Sequence, residues 1–306
     1  MGSSRGVSLS ARDLSTLRQE VADQLDVQRV DSEVNYFLRR ELLATNERDP
    51  DAVNKRLDAI QEALSTEVEE FDRLLFGGSI AKHTYVEGLS DVDSLVILKD
   101  AALAERSPEE FRAEFARVLR ARLKSGDVDD ILIGHLAVTV RFRDGIELQL
   151  LPAVERGDSI AISSSDGSQW RTRINPRAFT DQLTAVNGAN GGMVVPVIKL
   201  AKQVAASAIP EQHRPSGYLL EAIAAEAFAR YQGPRTPKSM LSYLMRFASD
   251  RVKVPTPDPT GQSRNADDAL GPAGSPTRQE LARRLSAIAD TMEKGRDVGD
   301  WRRLFE

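Results

Sequence analysis

Two aspartates, Asp91 and Asp93, lie one residue apart immediately before an apolar run at residues 94–98. Alternate residues of a strand share a face, so the two carboxylates would point the same way. Carboxylates so close together repel each other and would share a proton unless a cation lies between them. A divalent, oxygen-preferring ion such as Mg²⁺ or Mn²⁺ removes that conflict. The spacing suits a metal site, but on these residues alone the pattern favours a loop end where both acids are solvated.

A glycine-rich turn precedes the acidic pair by about a dozen residues, at Gly77-Gly78-Ser79. Glycines allow a ligand to approach the backbone closely, and exposed N–H groups together with a serine hydroxyl suit phosphate oxygens. Such a triplet is by itself typical of an ordinary turn. Its position ahead of two acids and an apolar strand makes a phosphate site the more specific interpretation.

The elements that must position these residues follow from periodicity. The first 75 residues have apolar residues at helical spacing, with Pro50 in a first helical turn. The pattern then changes to mixed α/β. It predicts a strand at 94–98, a serine-capped amphipathic helix at 107–124, a hairpin of 135–142 and 146–154 around Asp144-Gly145, and a short strand pair near 159–164 and 169–174.

A break at residues 187–192, NGANGG, precedes a second helical region. Four amphipathic segments follow it, and the third and fourth are separated by a long loop rich in Pro, Gly and Asp. The order of elements predicts an α+β protein with two domains. We place the first at residues 1–190 and the second, helical one at residues 191–306.

Composition excludes several classes of function. The chain has no cysteine, three widely separated histidines and a net charge of −5, which argue against thiolate or zinc chemistry and against a stable nucleic-acid partner. No apolar run reaches the roughly 18–20 residues that span a bilayer, so no membrane association is expected. The lack of cysteine and of a secretory signal leads us to expect a cytoplasmic protein.

The turn, the acidic pair and the strand together resemble the nucleotidyltransferase superfamily with a polymerase-β-like core. Lys82 and Thr84 occupy positions where such enzymes often read GSxxKxT. The resemblance implies phosphoryl transfer with two Mg²⁺ or Mn²⁺ ions held by the carboxylates, and a triphosphate bound by Gly78, Ser79 and Lys82.

The third carboxylate of that family pattern is missing here. Members carry an aspartate three residues before a proline on the neighbouring strand, and this chain has Gln149 there. An amide oxygen can contact a metal but brings no charge. Glu147 lies two residues earlier and would share the same face of the strand, so we hypothesise that it replaces the missing ligand. A solvated edge-strand glutamate, with a weak or inactive site, is the alternative.

The helical half is similar to the cyclic-oligonucleotide synthases of bacterial antiphage signalling and to their animal relatives. The motifs are PVIKLAKQ and SGYLLEAIA. By resemblance Lys199 reaches the triphosphate with help from Lys202, and Tyr218 stacks on a base. The family serine before this tyrosine is Gly217 here, so a phosphate contact would fall to Ser216. The implied fold is bilobed, with a catalytic core of mixed sheet, an N-terminal spine helix and a helical domain.

The expected function is therefore a metal-dependent synthase that joins nucleoside triphosphates into a cyclic oligonucleotide and releases pyrophosphate. A product-sensing effector protein is the expected partner, and a regulatory protein is a further candidate. Two alternatives stay open: a template-independent transferase acting on RNA ends or another acceptor, and a nucleotide-binding sensor with weakened catalysis.

Overall fold

The computed structural model describes residues 11–46, 50–76, 84, 92–99, 106–156, 159–164, 167–174, 176–259 and 264–306. These residues form an α+β structure, as the sequence predicts. The helices are α1 (Ala11–Asn46), α2 (Pro50–Glu67), α3 (Pro108–Arg122), α4 (Pro176–Ala189), α5 (Val194–Ala208), α6 (Gly217–Phe228), α7 (Pro237–Arg251), α8 (Pro276–Lys294) and α9 (Val298–Arg302). The strands are β1 (Phe71–Phe76), β2 (Val92–Leu98), β3 (Val128–Ile133), β4 (Val138–Phe142), β5 (Glu147–Arg156), β6 (Ser159–Ser163) and β7 (Trp170–Ile174).

Helix α3 begins where the sequence predicts, because its first turn is capped from both sides. The Ser107 hydroxyl accepts a hydrogen bond from the Glu110 amide, and the Glu110 carboxylate accepts one from the Ser107 amide. This reciprocal arrangement satisfies two amides that have no partner within the helix. It also lowers the pKa of Glu110, since both Ser107 contacts favour the charged carboxylate.

Strand β1 corrects the expectation that helical structure continues to residue 75. The apolar spacing of α2 runs on without interruption through Val68, Phe71 and Leu75, so periodicity alone extends the helix. The structure instead pairs residues 71–76 antiparallel with β2. Leu74 then packs on one face of the sheet and Leu75 on the other, which a strand achieves and a helix does not.

The seven-stranded sheet has the order β1-β2-β5-β4-β3, with β6 joined to β5 and β7 to β6. Strands β2 and β5 are parallel, and the other pairs are antiparallel. Strand β5 pairs with β4 through residues 147–150 and with β6 through residues 153–156. Because β2 occupies the whole opposite edge, β4 and β6 follow one another along a single edge of β5.

The two faces of the sheet are covered differently. Helices α2 and α3 pack on one face through residues such as Leu64, Phe111 and Phe115, against Leu148 and Leu150 of β5. The other face has a smaller apolar cluster of Leu95, Ile97, Ala153, Ile160 and Ile162. The beginning of β5 lies beyond that smaller cluster.

The helices after the sheet share one core with the end of α1. Val34 and Leu38 of α1 are fully buried in this cluster, together with Phe179 of α4 and Trp301 of α9. Helix α1 thus contributes to the core of the C-terminal helices, as a spine helix would. Among the helices of the described ranges, none has the length and hydrophobicity needed to cross a membrane.

Candidate functional site

The parallel pair β2–β5 brings the predicted acidic motif and its predicted third position together. The Cα of Asp93 is the register partner of Gln149, and Val92 is the partner of Leu148. Asp91 lies outside the described residues, and the backbone of Asp93 is described in β2. The alignment of Gln149 with the missing family aspartate is therefore matched by a direct cross-strand relationship.

Glu147 and Gln149 share one face of β5. Leu148 and Leu150 point to the opposite face, where they are fully buried against α2 and α3. The side chain of Leu151, two residues after Gln149, packs with the smaller apolar cluster. Glu147 and Gln149 therefore form a polar extension of that cluster, on the face of the sheet away from α2 and α3.

Glu147 forms an ion pair with Arg141 of the neighbouring strand β4. Its Oε1 lies 2.6 Å from Nε of Arg141, which is its register partner on β4. The two side chains are 37% and 46% exposed, so the pair is at the surface. A role for Glu147 as the third metal ligand stays a prediction, and Arg141 is the cation that a metal would have to displace.

The side chains described at the start of β5 carry the types of oxygen ligand that Mg²⁺ and Mn²⁺ bind. Glu147 offers a carboxylate and Gln149 an amide oxygen, both of which Mg²⁺ and Mn²⁺ accept. No group of three potential metal ligands is found among the described residues, a comparison that does not include the predicted ligand Asp91. The metal assignment of Asp91 and Asp93 thus stays a prediction supported by the register of Asp93.

The predicted phosphate turn lies outside the part of the chain that the structure describes. This applies to Gly78, Ser79 and Lys82. Thr84, which follows them, is described and is completely buried. Its hydroxyl donates a hydrogen bond to Oε1 of Glu221 on α6, so the chain between β1 and β2 contacts the C-terminal helices at this point.

Lys202 was predicted to assist the triphosphate contact, and the structure places it in the interior. Its Nζ lies 2.8 Å from Oε1 of Glu221 and donates to the Thr84 carbonyl oxygen at 2.9 Å. The side chains of Lys202 and Glu221 are only 3% and 2% exposed. The ammonium group is thus already engaged with two buried oxygens.

Lys199, one turn earlier on α5, is half-buried rather than enclosed. Burial lowers the pKa of its amine, and the nearby positive charge of Lys202 lowers it further. Of the two lysines, Lys199 is the one whose exposure allows contact with a phosphate.

Ser216 and Tyr218 lie at the start of α6. Ser216 caps the helix, accepting a hydrogen bond from the Leu219 amide at 3.1 Å. The Tyr218 hydroxyl donates to a carboxylate oxygen of Asp258, and its ring meets Phe179 edge to face, with ring centroids 5.5 Å apart. Tyr218 is half-buried, so part of the side chain stays accessible, as the predicted base contact requires.

The fold is similar to those of several solved proteins. CdnG, a CD-NTase of Bradyrhizobium diazoefficiens solved with GTP, superposes with a TM-score of 0.64 at 16% identity, over 86% of this chain and 93% of that chain. CdnC of Escherichia coli MS115-1, solved with ATP, gives a TM-score of 0.63 at 15% identity, over 92% and 96% of the two chains. The chain has the fold of the bacterial CD-NTases.

Two further structures with the CD-NTase fold bear on partners and products. CdnE of Capnocytophaga granulosa, a STING-associated c-di-GMP synthase, has a TM-score of 0.60 at 14% identity, covering 90% of this chain and 93% of that one. CdnC has also been solved as a CdnC:HORMA-deltaN complex, with a TM-score of 0.59 at 16% identity over 83% and 90%. No family model matches the sequence, and no curated protein matches it.

Within the CD-NTase fold, sequence reasoning missed two acids beside the predicted residues. Glu221 lies in the motif SGYLLEAIA that located Tyr218, one turn further along α6, and it is the buried partner of Lys202. Asp258 lies in the DPTG segment of the long loop and accepts the Tyr218 hydrogen bond. The sequence signal that could have identified Glu221 is its spacing of three residues from Tyr218, which places the two on neighbouring positions of one helix face.

Proposed function

We propose that this protein is a metal-dependent nucleotidyltransferase that joins nucleoside triphosphates into a cyclic oligonucleotide and releases pyrophosphate. The observation that carries the proposal is the register of Asp93 with Gln149 on the parallel pair β2–β5. The pairing supports a site in which Asp93, the second acid of the DxD motif, lies beside the strand on which polymerase-β-like enzymes carry their third ligand. The CD-NTase fold of the whole chain supports the cyclic product over a linear one.

The residues divide into two groups by the part of the nucleotide that they would bind. Asp91 and Asp93 would hold the divalent ions, with Gln149 or Glu147 completing the set. Mg²⁺ or Mn²⁺, when bound, neutralises phosphate charge and lowers the pKa of an attacking hydroxyl. Gly78, Ser79, Lys82 and Lys199 would bind the triphosphate, and Ser216 would offer a hydroxyl at the edge of the same site.

Tyr218 would contact a base, and its surroundings suit that role. Its hydroxyl donates a hydrogen bond to Asp258 and its ring packs edge to face with that of Phe179, so the ring has little freedom to rotate. A fixed aromatic face binds a base with a small loss of side-chain entropy.

Partners follow from the same proposal. CdnC forms a complex with a HORMA protein, and CdnE of Capnocytophaga granulosa is STING-associated. We accordingly propose antiphage signalling as the setting, with an effector protein that senses the product and a regulatory protein as a further partner.

The test is a product assay. Purified protein is incubated with all four nucleoside triphosphates and Mg²⁺ or Mn²⁺, treated with phosphatase, and analysed by mass spectrometry. The proposal predicts a phosphatase-resistant cyclic product and pyrophosphate from the wild type, and neither from Asp93→Asn. Lack of product from the wild type under all pairings of metal and nucleotide would contradict it.

A second candidate function is a nucleotide-binding sensor without turnover. It is favoured by two observations: Gln149 has no charge, and Glu147 is already paired with Arg141. A sensor would bind a triphosphate without releasing pyrophosphate. Calorimetric titration with a triphosphate, run beside the product assay, therefore distinguishes a sensor from a synthase.

A further inference from the structure

Thr84, Lys202 and Glu221 form a buried polar cluster that joins the chain before β2 to helices α5 and α6. The Lys202 ammonium donates to the Thr84 carbonyl oxygen and to Glu221, and the Thr84 hydroxyl donates to the same glutamate oxygen. Thr84 is therefore held both by its backbone and by its side chain.

The cluster is costly to form unless its groups pair with one another. Burying a lysine and a glutamate takes two charges out of water, and only close pairing with additional hydrogen bonds offsets that cost. Here the additional bonds come from Thr84, which lies 118 residues before Lys202. The hydrogen bonds of Thr84 therefore stabilise the buried charges of Lys202 and Glu221, and the same bonds keep Thr84 in contact with helices α5 and α6.

Gly217 is part of the same arrangement. A Cβ at this position would lie 3.1 Å from Cε and 3.2 Å from Nζ of Lys202. A serine, which the family motif has here, would crowd the buried Lys202 side chain, which would have to shift by a few tenths of an ångström. The glycine therefore leaves room for Lys202 at the site of the expected phosphate-binding hydroxyl.

We propose that Lys202 and Glu221 are positioning residues that dock the connection between β1 and β2 onto the helical region, and thereby set the affinity for the triphosphate without contacting it. This rests on the proposed function in one respect, since Gly78, Ser79 and Lys82 belong to that connection. Docking fixes the position of Thr84, two residues after Lys82, relative to the helices that carry Lys199 and Lys202.

The experiment separates docking from stability with a pair of variants. Lys202→Met leaves the buried Glu221 carboxylate without the ammonium that compensates its charge, and we expect a lower Tm. Lys202→Met/Glu221→Met replaces both charges with unbranched apolar side chains, which is expected to recover most of the Tm. Lys202→Met removes the contact of Lys202 with the Thr84 carbonyl oxygen, and the double variant also removes the contact of the Thr84 hydroxyl with Glu221. Docking is therefore expected to weaken in the single variant and not to recover in the double variant.

Three readouts are compared with the wild type: Tm, the Kd for a fluorescent ATP analogue, and hydrogen–deuterium exchange of a peptide containing Thr84. Both variants should weaken the Kd by about tenfold or more, because the competent form becomes a minor population. Exchange at the Thr84 peptide should be about tenfold faster in the double variant, with α7 unchanged. Glu226→Gln, an exposed position on α6, is the matched control and should leave all three readouts unchanged.

A double variant that recovers both Tm and Kd, or unchanged exchange at the Thr84 peptide, would overturn the proposal. Should the wild type bind no triphosphate, the proposed function fails instead. The exchange measurement then still decides whether Lys202 and Glu221 dock the connection.

Discussion

Asp93 and Gln149 are direct register partners on two parallel strands, so the residue paired with Asp93 is an amide at the position where the family pattern has a carboxylate. An amide oxygen can coordinate an ion without compensating its charge. This single relationship determines which substitutions should weaken the site and which should strengthen it.

Asp93→Asn should abolish nucleotidyl transfer. The substitution keeps the side-chain volume and removes one of two charges available to a divalent ion, so turnover should fall by at least about 100-fold. Pyrophosphate release measures the loss, and Asp72→Asn, an exposed position on β1, is the control that should retain activity. Equal turnover in Asp93→Asn and the wild type would contradict the metal assignment.

Gln149→Asp should tighten the binding of Mn²⁺ and raise turnover at low metal concentration. It puts a carboxylate beside Asp93, where the family pattern has one. Titration of activity against metal concentration gives the apparent Kd, and we expect it to fall by about tenfold.

Glu147→Gln is the matched test of the other candidate ligand. A small effect is expected, because Glu147 already pairs with Arg141 at the surface. If Glu147→Gln abolishes activity while Gln149→Asp changes nothing, Glu147 is the third ligand and the assignment by register is wrong.

Lys199 should lose its proton at a lower pH than an ordinary lysine. Burial and the neighbouring charge of Lys202 both disfavour its charged form, which lowers its pKa. The rate of acylation by an amine-selective reagent, followed by mass spectrometry from pH 7 to 11, should reach its midpoint at a lower pH for Lys199 in the folded protein than for a lysine in an unstructured model peptide. A later midpoint at Lys199 would show that its environment favours the cation.

The same shift predicts how stability depends on pH. Since the unfolded chain holds this proton more tightly than the folded one, the contribution of Lys199 to unfolding free energy rises with pH through the interval between its folded and unfolded pKa values. Lys199→Met should remove that rise, which urea unfolding at several alkaline pH values can measure.

Breaking the fully buried ion pair between Asp267 and Arg278 should strongly destabilise the helical region. The Asp267 Oδ2 lies 2.7 Å from Nη1 of Arg278, and both side chains are 0% exposed. Asp267→Asn leaves a buried guanidinium without its counter-charge, at an expected cost of about 3–5 kcal/mol. Urea unfolding followed by tryptophan fluorescence measures it, with Asp290→Asn at the surface as the control.

The contribution of the Asp267–Arg278 ion pair to the free energy of unfolding should be lost at low pH. Burial opposes ionisation of Asp267, but hydrogen bonds from Arg278 and the Thr256 amide outweigh it and lower the pKa below 3.8. The contribution is therefore present above pH 3.8 and is lost as the pH falls through the lower folded value. An Asp267→Asn variant whose acid sensitivity equals that of the wild type would contradict this.

Local signals predicted most of the elements. The Ser107 cap, the Asp144-Gly145 turn and the amphipathic helices after residue 193 are encoded within a few residues, and the structure confirms them. Strand β3 was missed because its residues Asp129 and Asp130 are typical of a turn. It is an edge strand in which only Ile131 is buried, so its sequence carries almost no alternation.

Contacts between residues distant in sequence determine two features that local sequence patterns do not predict: the strand β1 and the burial of Lys202. Phe71–Phe76 continues a helical period and becomes a strand only because β2 is there to pair with it. Lys199 and Lys202 are alike by spacing, and only the contacts with Thr84 and Glu221 make one of them an interior residue. The Asp93–Gln149 register is long-range as well, but a motif alignment could predict it.

A crystal structure with Mn²⁺ and a non-hydrolysable nucleoside triphosphate, with the ions located by anomalous scattering, tests the proposed metal site most directly. We expect manganese between Asp93 and the start of β5, with the nucleotide's phosphates extending from it toward Lys199. Manganese elsewhere, or a nucleotide bound away from β2 and β5, would contradict it.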